Sequence, residues 1–181
     1  MHSILKKLVG GTRRSLGHTN QIVTEVLSRP RLFPHLVAAL TSDDEVLRMR
    51  AADAIEKISA QRPDLLGPFK KNLFALAAGS AAPSLQPEVR WHLALILPRL
   101  KLTSIERALT TDILFEYLRD KSIIVKTHAL QSLADLAASD PSQTPGAPNP
   151  PRHRRNRLGG PTRPGPQTPP VALPLVSLPV D

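Results

Sequence analysis

Residues 43–59, DDEVLRMRAADAIEKIS, decide the fold, together with two later stretches of the same pattern, QPEVRWHLALILPRL at 86–100 and DKSIIVKTHALQSLADLA at 120–137. In each stretch an apolar residue precedes a base, and apolar residues recur four, eight and eleven positions later. These offsets lie within about 80° on an α-helix, so each stretch predicts a helix with one apolar stripe. The three stripes are Leu47, Ala51, Ile55 and Ile58; Val89, Leu93, Leu97 and Leu100; and Val125, Ala129, Leu133 and Leu136.

The first residues of the three stripes, Leu47, Val89 and Val125, are 42 and 36 residues apart. This period is typical of a two-helix repeat whose core forms only when neighbouring repeats stack. We therefore predict an all-α fold, a short right-handed α-solenoid of about three helix pairs. The predicted boundaries are 1–30 for an N-terminal helical cap and 31–60, 63–101 and 103–140 for the repeats.

Local signals predict where the helices begin and end. Two pairs have the spacing of a capping box, Ser42 with Glu45 and Thr103 with Glu106. The first helix of the second repeat is expected to begin after Pro63 and to include Leu76. Pro87 suits the first turn of the next helix, and Pro98 is expected to kink that helix because it removes a backbone hydrogen bond.

The composition changes abruptly after Asp140. Residues 141–181 hold 12 of the 19 prolines and no Lys or Glu, which predicts a disordered C-terminal tail. The preceding helix, 121–139, is as apolar as an internal one, although the last repeat of a solenoid is expected to have a polar outer face. Two interpretations stay open: an ordinary disordered tail, or a last repeat replaced by out-of-frame reading of a GC-rich gene.

The composition also bears on the compartment and the class of partner. The chain has no Cys, which fits a reducing compartment, and no apolar run near the roughly 18 residues of a membrane span. Lys6 and Lys7 interrupt the N-terminal apolar segment, so it lacks a signal-peptide core. We predict a cytoplasmic protein with no membrane contact. The net charge of +9 lies at the two ends, because residues 32–140 hold thirteen bases and thirteen acids.

The three stretches resemble HEAT repeats, within the armadillo-like group of α-solenoids, over roughly residues 30–140. The resemblance rests on RLFPHLVAAL at 31–40 and on the three stretches quoted above. Pro34 lies where the family often has a first-helix proline, and Asp120 with Lys126 resembles its Asp–base pair between repeats. In its short, uncomplicated form the chain resembles small bacterial HEAT-repeat proteins. The resemblance implies a binding role but no particular partner.

Ten residues are candidates for structural or binding roles. Arg48, Arg90 and Lys126 each follow the first residue of a stripe. We expect these bases to pair with acids of adjacent repeats, and Asp120 is a candidate acid. A second set lies on the flank that lines the concave face in the HEAT family, where stacking would align it into a largely basic band for an acidic segment. That band comprises Arg50, Lys57, His92, Arg99 and His128, followed by Asp135. A solvated helix face is the alternative for this band.

Trp91 lies away from its own stripe, so it either packs under the loop at 79–86 or is an exposed contact for a partner. His92 and His128 would respond to pH if they were neighbours, but no third metal ligand accompanies them. No nucleophile elbow, phosphate loop or histidine pair indicates an enzyme, and a HEAT-like DNA glycosylase would need a basic cleft with more aromatics.

We therefore expect a non-catalytic protein-interaction scaffold with no cofactor and no small-molecule substrate. The alternative function is nucleic-acid association through the basic ends, where phosphate contacts would make binding strongly salt-dependent. The contacts for that alternative are Lys6, Lys7, Arg13, Arg14 and the cluster at 152–157.

Overall fold

The computed structural model describes residues 2–9, 18–79 and 85–139, and these residues form helices and no strand. The predicted all-α class is confirmed for this part of the chain, and the predicted tail at 141–181 lies outside it. The helices are α1 Ser3–Lys6, α2 Thr19–Ser28, α3 Phe33–Ala39, α4 Glu45–Gln61, α5 Lys70–Ala77, α6 Pro87–Ile96, α7 Ser104–Tyr117 and α8 Ile123–Ala138. Short 3-10 segments lie at Pro30–Leu32, Pro63–Phe69 and Leu97–Arg99.

Helices that follow each other in the chain pack together as three pairs. Helix α3 packs on α4, α5 on α6, and α7 on α8. Helix α4 also contacts α2 and α6, and α6 contacts α8. One continuous apolar core runs between these helices. The long second helices of successive pairs are therefore the elements that carry this core from one pair to the next.

The predicted apolar stripes face the core. Of the twelve stripe residues, Leu133 alone is partly buried and the others are buried. Four of them are fully buried alanines or valines, namely Ala51, Val89, Val125 and Ala129. Small side chains at the contact allow helices to approach closely, so a core poor in aromatic residues still packs densely. The prediction of inward stripes on α4, α6 and α8 is confirmed, apart from the partial exposure of Leu133.

One of the two predicted helix caps is confirmed and the other is wrong. Thr103 and Glu106 form a reciprocal capping box at the start of α7. At α4 the N-cap is Asp44 rather than Ser42, since Oδ1 of Asp44 accepts the N–H groups of Val46 and Leu47 at 2.9 and 3.1 Å. A carboxylate next to the first turn satisfies these donors and also interacts favourably with the helix dipole.

Prolines shorten two of the predicted helices. The first helix of the second pair was expected to begin after Pro63, but Pro63–Phe69 is a 3-10 segment and α5 begins at Lys70. Gly67 and Pro68 explain this, because glycine is a poor helix former and proline lacks a backbone donor. Pro98 ends α6 at Ile96 rather than kinking it, and the chain continues as a 3-10 turn.

The N-terminal segment is held against the first pair. Ile4 of α1 and Leu8 are buried, and Nζ of Lys7 is 2.7 Å from Oε2 of Glu25 in α2. The ring of His2 stacks on His35 of α3 at 3.9 Å between centroids. Among the described helices, none is both long and apolar enough to cross a lipid bilayer.

Candidate interaction surface

Buried polar contacts join each helix pair to the next. Arg48 of α4 is 5 % exposed; it donates from Nε to Oε1 of Gln86 at 3.0 Å and from Nη1 to the carbonyl of Ser42 at 2.5 Å. Gln86 in turn donates to the carbonyl of Glu45 at 2.7 Å. The side-chain acceptor for Arg48 is therefore the amide of Gln86 and not the acid that we expected from the sequence. A buried charge-assisted hydrogen bond of this kind stabilises the contact.

Arg90 of α6 forms a bidentate ion pair with Asp120, which lies just before α8. Nε is 2.6 Å from Oδ2 and Nη2 is 3.0 Å from Oδ1. Burial raises the pKa of Asp120, but the hydrogen bonds from Arg90 and from the N–H of Ser122 outweigh burial and hold that pKa below its usual value. The expectation that Arg90 pairs with an acid of the adjacent repeat is confirmed. Lys126, which was expected to accompany Asp120 in this role, lowers the pKa of Asp120 only through its charge.

Further contacts join the pairs at other points. The Lys70 ammonium of α5 binds the Glu106 carboxylate of α7 at 2.7 and 2.9 Å, and it holds the pKa of Glu106 below its usual value. The Tyr117 hydroxyl donates to the carbonyl of Ala77 at 3.1 Å, and burial raises the pKa of this phenol. Polar contacts thus reinforce the apolar stacking between the second and third pairs.

The predicted basic band is wrong at two of its five positions. Arg50 and His92 are each 2 % exposed, so neither is available to a partner. Arg50 donates from Nη1 to the carbonyl of Leu8 at 2.6 Å, which ties α4 to the N-terminal segment. His92 lies where α6 packs between α4 and α8, so its position on the helix places it inside the stack.

His92 is held in its neutral form. Burial lowers its pKa to about 3, and the charges of Lys57 and His128 act in the same direction. Its Nδ1 is buried and has no hydrogen-bond partner in the described part of the protein. Lys57 and His128 therefore lie near His92, so the two histidines are neighbours, one of them buried and the other half-buried.

The remaining band residues are bound within the molecule. Nζ of Lys57 is 2.8 Å from Oδ2 of Asp53 and 3.2 Å from Oδ1 of Asn20. Arg99 binds the Glu56 carboxylate at 2.6 Å, the Glu56 carbonyl at 2.7 Å and Oγ of Ser59 at 2.9 Å, so it joins the second pair to the first.

Trp91 packs across to the next pair. Its ring stacks on His128 of α8 with 5.1 Å between centroids, and it also contacts His92. Trp91 is partly buried against the core, and the greater part of the loop under which it was expected to pack, 80–84, lies outside the described residues. Arg13, Arg14 and the cluster at 152–157 also lie outside them.

Among the described residues, large apolar side chains are exposed on α7, at Ile105, Leu109 and Phe115, and on α8. Ile123, Ile124 and Leu130 are 72 %, 52 % and 62 % exposed, whereas Val125 and Ala129 on the opposite side are fully buried. The spacing of four residues predicts this outer face, because Ile123, Thr127, Leu130 and Ala134 recur at i, i+4, i+7 and i+11. The buried stripe that begins at Val125 lies on the opposite side of the same helix, so α8 is apolar on two sides.

Shallow grooves lie between α3 and α5 and between α5 and α7, and apolar side chains line most of each. No group of three His, Asp or Glu side chains within residues 2–9, 18–79 and 85–139 is placed to hold a metal ion. Comparison with known proteins finds no matching family model, no similar curated protein and no similar solved structure.

Proposed function

We propose that this protein is a short right-handed α-solenoid of about three HEAT-like helix pairs that acts as a non-catalytic protein-interaction scaffold. The proposal is supported by the order of contacts from α2 to α4, α6 and α8, each of them a step to the next helix pair. It is also supported by polar contacts that recur between pairs, such as Arg48 with Gln86 and Arg90 with Asp120.

The observation that carries the proposed function is the outer face of α8. Soluble proteins seldom expose several large aliphatic side chains side by side unless they bind something apolar. Ile123 and Leu130 lie on one face of α8, where an amphipathic helix of a partner would place its own apolar stripe between them. The binding surface is thus the end of the stack rather than the predicted basic band.

The proposed function is tested with a photo-crosslinking amino acid placed at position 130 in the full chain. The control carries the same amino acid at position 105, where Ile105 of α7 is 82 % exposed. We expect protein crosslinks at position 130 that unlabelled protein competes away and that a Leu130→Glu competitor does not. Equal crosslinking at both positions, or none at 130, would refute a binding role for α8.

A further inference from the structure

The outer face of α8 has no polar group that needs a partner. The four residues of this face are Ile123, Thr127, Leu130 and Ala134, and all are exposed. The one hydroxyl among them belongs to Thr127, and it already donates to the carbonyl of Ile123 at 2.9 Å. Covering this face with another apolar surface therefore leaves no donor unsatisfied, which removes the usual cost of burying a threonine.

The face is also complementary to itself. Large and small residues alternate along it in the order Ile123, Thr127, Leu130 and Ala134. In an antiparallel pair of α8 helices, a two-fold axis between Thr127 and Leu130 sets Ile123 against Ala134 of the second copy and Thr127 against Leu130 of the second copy. Every layer then joins a large side chain to a small one, as interdigitated helices require.

The charges on α8 favour the same orientation. Lys121 lies just before the N-cap of α8, Lys126 lies in its first turn, and Asp135 lies in its last turn. Antiparallel pairing brings Lys121 of one copy to the level of Asp135 of the other, whereas parallel pairing brings like charges together. The dipoles of two antiparallel helices also oppose each other favourably.

We infer that the partner of the α8 face is a second copy of this chain, bound as a two-fold symmetric, antiparallel α8 pair. This inference rests on the proposed interaction role of α8 and names the partner. A helix of 16 residues is about 24 Å long, so the contact is smaller than the roughly 800 Å² per partner of a standard interface. The dimer is therefore expected to be weak and to dissociate on dilution.

The first test is the molar mass of the full chain by sedimentation equilibrium over a range of concentrations. We expect reversible dimerisation that Leu130→Glu weakens at least about tenfold, because each dimer would bury two unpaired carboxylates. Ile105→Glu is the matched control and should leave dimerisation unchanged. Circular dichroism establishes that both variants keep the helical fold, as substitution at exposed positions permits.

The second test fixes the register, and the absence of native Cys makes it unambiguous. An equal mixture of the Thr127→Cys and Leu130→Cys variants should form the mixed disulfide faster than either variant alone forms its own dimer. Ile105→Cys should crosslink no faster than free collision allows. Preferred disulfides in another register, or monomers throughout the concentration range, would overturn the inference.

The two proposals fail separately. If the chain stays monomeric while the crosslinker at position 130 captures a different protein, the self-pairing is refuted and the interaction role of α8 stands. If neither self-association nor any crosslink specific to position 130 is found, both are refuted.

Discussion

His92 is a titratable side chain that the fold keeps uncharged. Its folded pKa of about 3 lies below the value of 6.5 expected for the unfolded chain. As the pH falls below 6.5, protons bind the unfolded chain first, so the folded state loses stability progressively until the pH approaches 3. The contribution of His92 to stability is thus fully present above pH 6.5.

The first prediction concerns this pH dependence. Between pH 7.5 and pH 5.0, the free energy of unfolding should fall by about 2 kcal/mol because of His92 alone. His92→Gln should remove most of that fall, whatever its effect at pH 7.5, and His128→Gln serves as the control. Urea denaturation at both pH values measures it, and an equal fall in wild type and His92→Gln would contradict it.

The second prediction concerns the Arg90–Asp120 ion pair. Asp120→Ala removes the acceptor for Arg90 and for the N–H of Ser122, and it should lower the free energy of unfolding by about 2 kcal/mol. Glu116→Ala breaks the Glu116–Arg119 pair, whose side chains are 68 % and 76 % exposed, and should change stability by less than about 0.5 kcal/mol.

A double-mutant cycle with Arg90→Ala separates the pairing energy from the cost of truncation. We expect coupling of about 1 kcal/mol between Arg90 and Asp120, measured by chemical denaturation. Additive effects of the two substitutions would mean that the bidentate geometry contributes nothing to stability.

At the scale of single elements, the start of α4 gives the third prediction. Asp44 caps the helix, whereas the hydroxyl of Ser42 accepts the N–H of Asp44 at 3.2 Å and no N–H of the first turn of α4. Asp44→Ala should therefore destabilise the protein by about 1 kcal/mol, and Ser42→Ala by clearly less. Thermal unfolding compares the two, and a larger effect at Ser42 would restore the capping box expected from the sequence.

Periodic apolar residues predicted the long helices well, and local chemistry predicted their ends less well. The stripes from Leu47, Val89 and Val125 depend on helical geometry alone, so they could be read without the structure. The choice between Ser42 and Asp44 depends on the residue at which the chain enters the helix, and both residue types are favoured at the N-cap. The breaks at Pro68 and Pro98 depend on whether neighbouring helices compensate for a lost hydrogen bond, which sequence spacing does not contain.

For the whole molecule, salt dependence separates the two functions weighed from the sequence and gives the fourth prediction. Self-association through the uncharged face of α8 should change little, or strengthen, between 50 and 500 mM potassium chloride. Association with DNA through the basic ends should weaken steeply, with a slope of about −0.9 per phosphate contact in a double-logarithmic plot. Sedimentation and fluorescence anisotropy with a DNA duplex measure the two.

The candidate binding residues were harder to predict than the fold. Arg50 and His92 lie on the flank expected to face solvent, yet α4 and α6 each pack against helices on both sides. Which flank is covered depends on the angle between neighbouring pairs, and an apolar stripe does not determine that angle. For Ile123 and Leu130 the error runs the other way. They look like core residues in the sequence, and the structure shows that no helix of the described chain covers them.

Helix α6 is fastened at its two ends to different neighbours. Near its start Arg90 binds Asp120 of the following pair, and just beyond its end Arg99 binds Glu56 of the preceding pair. A rotation of α6 about its own axis would stretch both of these ion pairs. We therefore expect them to hold the orientation of α6 more tightly than apolar packing alone would.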